Sequence, residues 1–278
     1  MVKGLKFWKM HGLGNDYIVI DNTDNKLQSH NLGELAKILC QRRFSVGADG
    51  LLLACNSNVA EVKMRIFNPD GSEAEMCGNG IRCLAKFCYE NGIAKKETFA
   101  VETLAGIKHV WLSTVKGEVE SVKVDMGEPL FDRKAIPMLG EGECINEELK
   151  VNGEIFKVTC LSVGNPHCVI FVDDLASVPL EKVGPKIERH EKFPKRVNVE
   201  FVQVLSPKEI KVRVWERGVG ETTACGTGAC ASVAAGHILG KTEKKVKVNL
   251  LGGSLKVYYD ERVFMEGPAV KVFAGKLF

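Results

Sequence analysis

Apolar and charged residues alternate along Val62–Phe67, along residues 122–126, along residues 210–215 and along residues 246–250. A period of two predicts strands with one face buried and the other in water, the pattern expected of mostly antiparallel sheet. Elsewhere the period lengthens. After Gly78-Asn79-Gly80, the apolar groups Ile81, Leu84, Ala85 and Cys88 fall on one face of a helix that Asn91-Gly92 stops. A second helix runs through Ala229-Cys230-Ala231-Ser232-Val233-Ala234-Ala235 and ends near Gly240. It is small and apolar nearly all round, so it belongs at the buried centre of its lobe.

These elements repeat. Val62-Lys63-Met64-Arg65-Ile66-Phe67-Asn68 precedes Cys77 as Ile210-Lys211-Val212-Arg213-Val214-Trp215-Glu216 precedes Cys225, at a constant offset of 148 residues. Gly14-Asn15-Asp16-Tyr17-Ile18-Val19-Ile20 resembles Gly164-Asn165-Pro166-His167-Cys168-Val169-Ile170 at an offset of 150. The reading is an α+β chain of two pseudo-symmetric lobes, each a mostly antiparallel sheet wrapped around a central helix. Gly127-Glu128-Pro129 marks the hinge, which sets the first lobe at 1–126 and the second at 127–267. A C-terminal strand, 268–278, crosses back to the first lobe.

Composition then narrows the partners. The chain has 278 residues, 45% of them hydrophobic, enough for two cores. A net charge of +3, with no run of five or six like charges, points to a small-molecule substrate rather than nucleic acid or a membrane surface. The first nine residues alternate basic and apolar groups and lack the apolar core of a signal peptide, and no 18-residue apolar run follows. The expected compartment is cytoplasmic. Ten cysteines without a Cys-x-x-Cys pair argue against a zinc module, so no metal site is expected. Cys40, Cys55, Cys83, Cys88, Cys144, Cys160 and Cys230 read as reduced, buried small apolar groups.

Cys77 and Cys225 differ because two independent loops place each one at a helix start, behind Gly78 and Gly80 or Gly226 and Gly228. A free thiol, with a pKa near ~8.5, is only slightly ionised at neutral pH, and a helix N-terminus favours the thiolate by roughly 0.3 to 1 kcal/mol. Glycines let backbone N–H groups approach a ligand carboxylate and the charge that develops beside it. A thiolate that takes a proton from one face of a carbon, and a thiol that returns one to the other, invert a stereocentre. No cofactor signature supplies an electron sink, so the developing carbanion needs electrostatic stabilisation and exclusion of water.

Met10-His11-Gly12-Leu13-Gly14-Asn15-Asp16, Phe67-Asn68-Pro69-Asp70-Gly71-Ser72, Met76-Cys77-Gly78-Asn79-Gly80, Gly164-Asn165-Pro166-His167, Trp215-Glu216-Arg217-Gly218 and Ala224-Cys225-Gly226-Thr227-Gly228 together resemble the diaminopimelate epimerase family from end to end. That resemblance implies a homodimeric, cofactor-independent enzyme, needing neither pyridoxal phosphate nor metal. It would interconvert LL- and meso-2,6-diaminopimelate for lysine and, in bacteria, peptidoglycan precursors. It implies Cys77 and Cys225 as the acid/base pair. By the same resemblance, His167 and Glu216 would orient the reacting amine or tune the thiols. Substrate contacts fall to Asn15, Asn68, Gly78, Asn79, Asn165, Asn198, Glu216, Arg217, Gly226 and Thr227. An ammonium and a carboxylate at each end of the ligand suit neutral acceptors, one carboxylate and an Arg fork. One departure stands out: Gly50, in Val46-Gly47-Ala48-Asp49-Gly50, occupies a place where some family members carry a substrate-contacting glutamine.

Other classes leave traces. Residues 235–242, ending in Gly240-Lys241-Thr242, fit a loose phosphate-binding loop, but such a loop must follow a strand and open a helix. A thiol-redox module would instead predict a functional disulfide between Cys77 and Cys225. Proline racemases characteristically carry histidine where this chain has Asn79, and phenazine-type isomerases do not keep the cysteine pair.

Overall fold

The computed structural model describes residues 3–278; the first two residues of the N-terminal alternation lie outside the described residues. The chain forms two compact units, Met1–Asp125 with Glu266–Phe278, and Met126–Met265. Each is a sheet around a helix, a mixed α+β architecture. In the first unit the strand Val270–Lys276 pairs antiparallel with Lys6–Gly12, which pairs antiparallel with Asn15–Asp21. Gly50–Cys55 joins in parallel, followed by antiparallel Val62–Phe67 and the short Glu73–Ala74. Thr98–Thr103 then lies parallel to Val62–Phe67, and Gly106–Val115 and Glu118–Gly127 complete an antiparallel run.

The second unit repeats this order of pairing. Leu51 faces Phe67 and Ile66 faces Ala74; 148 residues on, Val199 faces Trp215 and Val214 faces Thr222. The two parallel pairings recur as Pro166–Phe171 with Asn198–Ser206 and as Glu209–Glu216 with Lys245–Leu250. Alternation reports which face is buried, not strand direction, so the parallel pairs were not legible from it. Parallel neighbours require a crossover, and helices supply it. They are α1 (Leu32–Leu39) and α2 (Gly78–Glu90) in the first unit, α3 (Leu180–Glu188) and α4 (Gly226–Ile238) in the second. Gly50–Cys55 is buried along its whole length, the continuous apolar run expected of a strand covered on both faces.

Each helix follows from local chemistry. Asn31 caps α1 by accepting the Glu34 N–H at 3.2 Å, and Leu32, Leu35, Ala36 and Leu39 form its buried face. In α3, Gly184 lies beneath Trp215, where a Cβ would come within 2.7 Å of the indole. The apolar face of α2 is fully buried at Ile81, Leu84, Ala85 and Cys88, and Asn91 closes the helix. Two cations on α2 are also buried, which its sequence did not suggest. The Arg82 guanidinium donates to Gly78 O at 3.0 Å, Pro268 O at 3.2 Å and Asn79 Oδ1 at 2.8 Å. Lys86 donates to Val119 O at 2.6 Å and pairs with Glu90 at 2.7 Å. Burial of such groups is tolerated only with these partners in place. The central α4 is buried from Gly228 to Gly236, consistent with a surface that is apolar nearly all round. Residues 235–242 close α4 and its following turn, so they offer no helix start to a phosphate. No helix among the described residues is long and apolar enough to cross a membrane.

Candidate active site

Both units lead a strand, a tight turn and a two- or three-residue strand into a cysteine at the N-cap of the central helix. Cys77 and Cys225 each have extended backbone, and the helix begins at the glycine that follows. The approach is pinned identically in the two units. Arg65 Nε and Nη2 hold Glu73 at 2.7 and 2.9 Å, and Arg213 holds Glu221 at 2.7 and 3.0 Å, both 148 residues further on. Two-pronged pairing of this kind fixes orientation as well as distance.

Around Cys77 the structure gathers Asn15, Tyr17 and Asn79. Tyr17 donates to Asn15 Oδ1 at 2.6 Å, and its hydroxyl oxygen lies 2.9 Å from Cys77 Sγ. Cys77 Sγ is 3.7 Å from Asn15 Oδ1, to which Asn79 Nδ2 donates at 3.3 Å. Asn15 Nδ2 in turn donates to Asp49 at 3.0 Å. The loop beneath is clamped by Asp16, held by Lys9 at 2.6 Å and by Arg42 at 2.6 Å. Burial pushes the Asp16 carboxyl up, but its bonds to Arg42 and Lys9 outweigh that and hold it near about 2. Asn68 stands in the adjoining turn, its amide donating to Ser72 Oγ at 2.9 Å.

Around Cys225 the composition changes. The Sγ is buried, accepts the Gly228 N–H at 3.4 Å and lies 3.4 Å from Thr227 Oγ1. Asn165 reaches Thr227 Oγ1 at 3.3 Å and His167 Nε2 at 2.8 Å. His167 Nδ1 is 2.7 Å from Glu200 Oε1, and neither side chain has any exposure. The second Glu200 oxygen has no hydrogen-bond partner among the described residues. Glu216 accepts from Thr222 Oγ1 at 2.5 Å. Burial pushes the Glu216 carboxyl up, partly offset by the Thr222 bond and by His167. Cys225 is pushed well above an ordinary thiol by burial first and then by the charges of Glu216 and Glu200. Asn198 donates to Pro166 O at 2.8 Å and accepts the Arg217 N–H at 2.8 Å, while the Arg217 guanidinium is exposed and reaches Lys195 O at 3.2 Å.

Each unit therefore collects its own share of the sequence-predicted residues: Asn15, Gly78 and Asn79 around Cys77, and Asn165, His167, Gly226 and Thr227 around Cys225. Two residues beside the sulfurs escaped the sequence reading, Tyr17 and Glu200. A signal for Tyr17 existed, because it follows Asn15 by two positions as His167 follows Asn165. Glu200 lies between the apolar Val199 and Phe201, and its first-unit counterpart is Leu52, so the repeat gave no hint. All ten cysteines are free, and Cys77 alone is not buried.

The sequence profile described as diaminopimelate epimerase matches residues 7–131 and 159–272. A diaminopimelate epimerase of Pelotomaculum thermopropionicum is 53% identical over 275 residues, covering 98% of each chain. One of Methanococcus maripaludis is 48% identical over 277 residues, covering 98% of this chain and 99% of the other. Among solved structures, a hydroxyproline epimerase of Agrobacterium vitis superposes with a TM-score of 0.70 at 14% identity, over 99% of this chain and 93% of that one. A phenazine biosynthesis protein of Bacillus anthracis gives 0.69 at 19% identity over the whole of both chains. Those two likenesses establish the fold, and the matches in sequence establish more: this chain belongs to the diaminopimelate epimerase family.

Proposed function

We propose that this protein epimerises LL-2,6-diaminopimelate to the meso form without a cofactor, using Cys77 and Cys225 as a proton-accepting and proton-donating pair. The observation that carries this reading is the duplication itself. Two thiols sit at the same register of a repeated strand, turn and helix, each at the N-terminus of a central helix.

The chemistry follows from the surroundings of each sulfur. Cys225, buried beside two carboxylates, stays protonated and enters as the acid; Cys77, beside a hydroxyl that can donate to it, enters as the base. Cys77 takes the α-proton, the electron pair stays on carbon next to the carboxylate, and the Cys225 S–H supplies a proton from the opposite face. In the reverse direction the roles exchange. Backbone N–H groups at Gly78, Asn79, Gly226 and Thr227 face the substrate carboxylate and the charge that builds on it, the largest barrier to removing so weak an acid. His167 and Glu216 orient the reacting amine. Asn15, Asn68, Asn165 and Asn198 supply neutral contacts, and Arg217 receives the distal carboxylate. In this reading the product serves lysine and peptidoglycan precursor synthesis in the cytoplasm.

A homodimer completes the reading. Its support is family resemblance and the exposed Val270, Val272 and Phe273 on one strand, and sedimentation velocity tests it. The activity itself is tested by incubating purified protein with LL-diaminopimelate and no additive, then resolving stereoisomers by chromatography. Approach to an LL and meso mixture is expected. Absence of conversion by a folded protein overturns the proposal.

A further inference from the structure

Tyr17 touches the sulfur of Cys77, and neither the repeat-based reading nor the family's expected site residues gave it a part. Its side chain is 3% exposed, and its hydroxyl lies between Asn15 Oδ1 at 2.6 Å and Cys77 Sγ at 2.9 Å. A phenol has one proton to donate, and a carbonyl oxygen can only accept. When the Tyr17 O–H points at Asn15, its oxygen is free to accept the S–H of Cys77. When Cys77 has lost its proton, the O–H turns to the sulfur, and Asn15 Oδ1 keeps Asn79 Nδ2 at 3.3 Å as a donor.

We propose that Tyr17 is a positioning hydroxyl that rotates between Asn15 and Cys77, serving the sulfur as thiol and as thiolate and so easing its cycle between acid and base. The proposal rests on the reading of Cys77 as half of the acid/base pair. In the step itself the substrate Cα–H bond breaks, the electron pair remains on carbon, and the proton forms the S–H bond. The Tyr17 O–H then swings from sulfur to Asn15, and no proton leaves the phenol. Burial pushes the Tyr17 hydroxyl well above its ordinary value, and a charge on Cys77 pushes it further, so the phenol keeps its proton throughout. The other titratable groups acting on it are Cys83 on α2 and Asp49 ahead of Gly50–Cys55. Burial pushes Cys83 up to about 12, leaving it uncharged, and Arg42 holds Asp49 at 2.8 Å.

Gly50 belongs to the same device. It pairs with Tyr17 across the parallel strands, and a Cβ there would stand 3.0 Å from Tyr17 Cε1 and 3.1 Å from Phe67 O. A side chain at position 50 would press on the phenol ring, which would have to give by a few tenths of an ångström to admit it. Gly50 thus leaves the ring its present place, with the hydroxyl beside Cys77.

Tyr17→Phe removes the oxygen alone. The full-length protein is treated with iodoacetamide from about pH 6 to about pH 10, and Cys77 labelling is followed by peptide mass spectrometry alongside the pH profile of kcat/KM. A hydrogen bond to a charged sulfur predicts that the Cys77 titration midpoint rises by about one to two pH units, with kcat/KM on the acid limb falling about tenfold or more. Gly50→Ala, which presses the ring aside by a few tenths of an ångström and keeps the hydroxyl, should move the same midpoint upward by less, and adding it to Tyr17→Phe should move it no further. An unchanged midpoint and profile in Tyr17→Phe overturns the proposal, as does full additivity of the two variants. Activity surviving in Cys77→Ala would instead overturn the reading of the thiol, whatever Tyr17 does.

Discussion

Cys77 and Cys225 occupy one backbone position of the repeat, yet the groups around the two sulfurs have diverged. Cys77 makes no N-cap bond and has an uncharged phenol against it, whereas Cys225 accepts the Gly228 N–H and feels the charges of Glu216 and Glu200. The third residue of each helix shows the same contrast. A Cβ on Gly80 would meet nothing closer than 3.4 Å, while one on Gly228 would fall 2.8 Å from Glu200 Oε1 and 3.3 Å from Cys225 Sγ. Duplication supplied the geometry twice, and local substitution gave each copy a distinct electrostatic setting. For a reaction that needs one acid and one base at a time, that asymmetry is useful.

The largest expected effect treats the halves as equals. Cys77→Ala and Cys225→Ala should each lower kcat by about a thousandfold or more, because neither proton carrier can replace the other. Stereoisomer resolution reads the loss and circular dichroism the fold; near-normal turnover in either variant would break the pairing. Next come the glycines. Gly228→Ala should lower the unfolding free energy by about 1–3 kcal/mol through overpacking, while Gly80→Ala should leave it unchanged or raise it by up to about 1 kcal/mol. Equal losses in a urea titration would contradict the asymmetry drawn from the structure.

Acid stability separates the units further. Asp16 corresponds to Pro166 in the second unit, so its ionic clamp is particular to the first. Its carboxyl falls from about 3.9 in an unfolded chain to about 2 when folded. The stabilisation is therefore complete above pH 4 and is lost as pH falls through 4 toward 2, on the order of 2 kcal/mol. Asp16→Asn should be less stable at neutral pH and show a smaller drop in Tm on acidification, as read by scanning calorimetry. The smallest effect is an internal control. Glu73→Gln and Glu221→Gln remove matched, partly exposed ion pairs and should each cost about 0.5–1 kcal/mol. A large difference between them would show that the two approaches to cysteine are not equivalent.

What the sequence revealed divides along physical lines. Helix and strand positions were legible because a face buried against a core leaves a period, as in Val62–Phe67 and α2. The site's outline was legible because duplication placed two Cys-Gly starts at a fixed spacing. Pairing direction was not, since Gly50–Cys55 and Asn15–Asp21 would bury the same residues whichever way they ran. Charged groups inside the protein were also hidden: Arg82, Lys86 and Glu200 read as surface residues until their buried partners are known. Tyr17 read as an aromatic strand residue, because nothing in a sequence reports where a hydroxyl points.

Whether two different sulfurs carry the proton out and in is read by running LL-diaminopimelate in deuterated water and sampling early turnover. Two separate proton carriers put deuterium at the epimerised carbon of the meso product and leave little in the recovered LL substrate. Equal early labelling of both pools would mean that a single group handles both faces, and would contradict the assignment of two carriers.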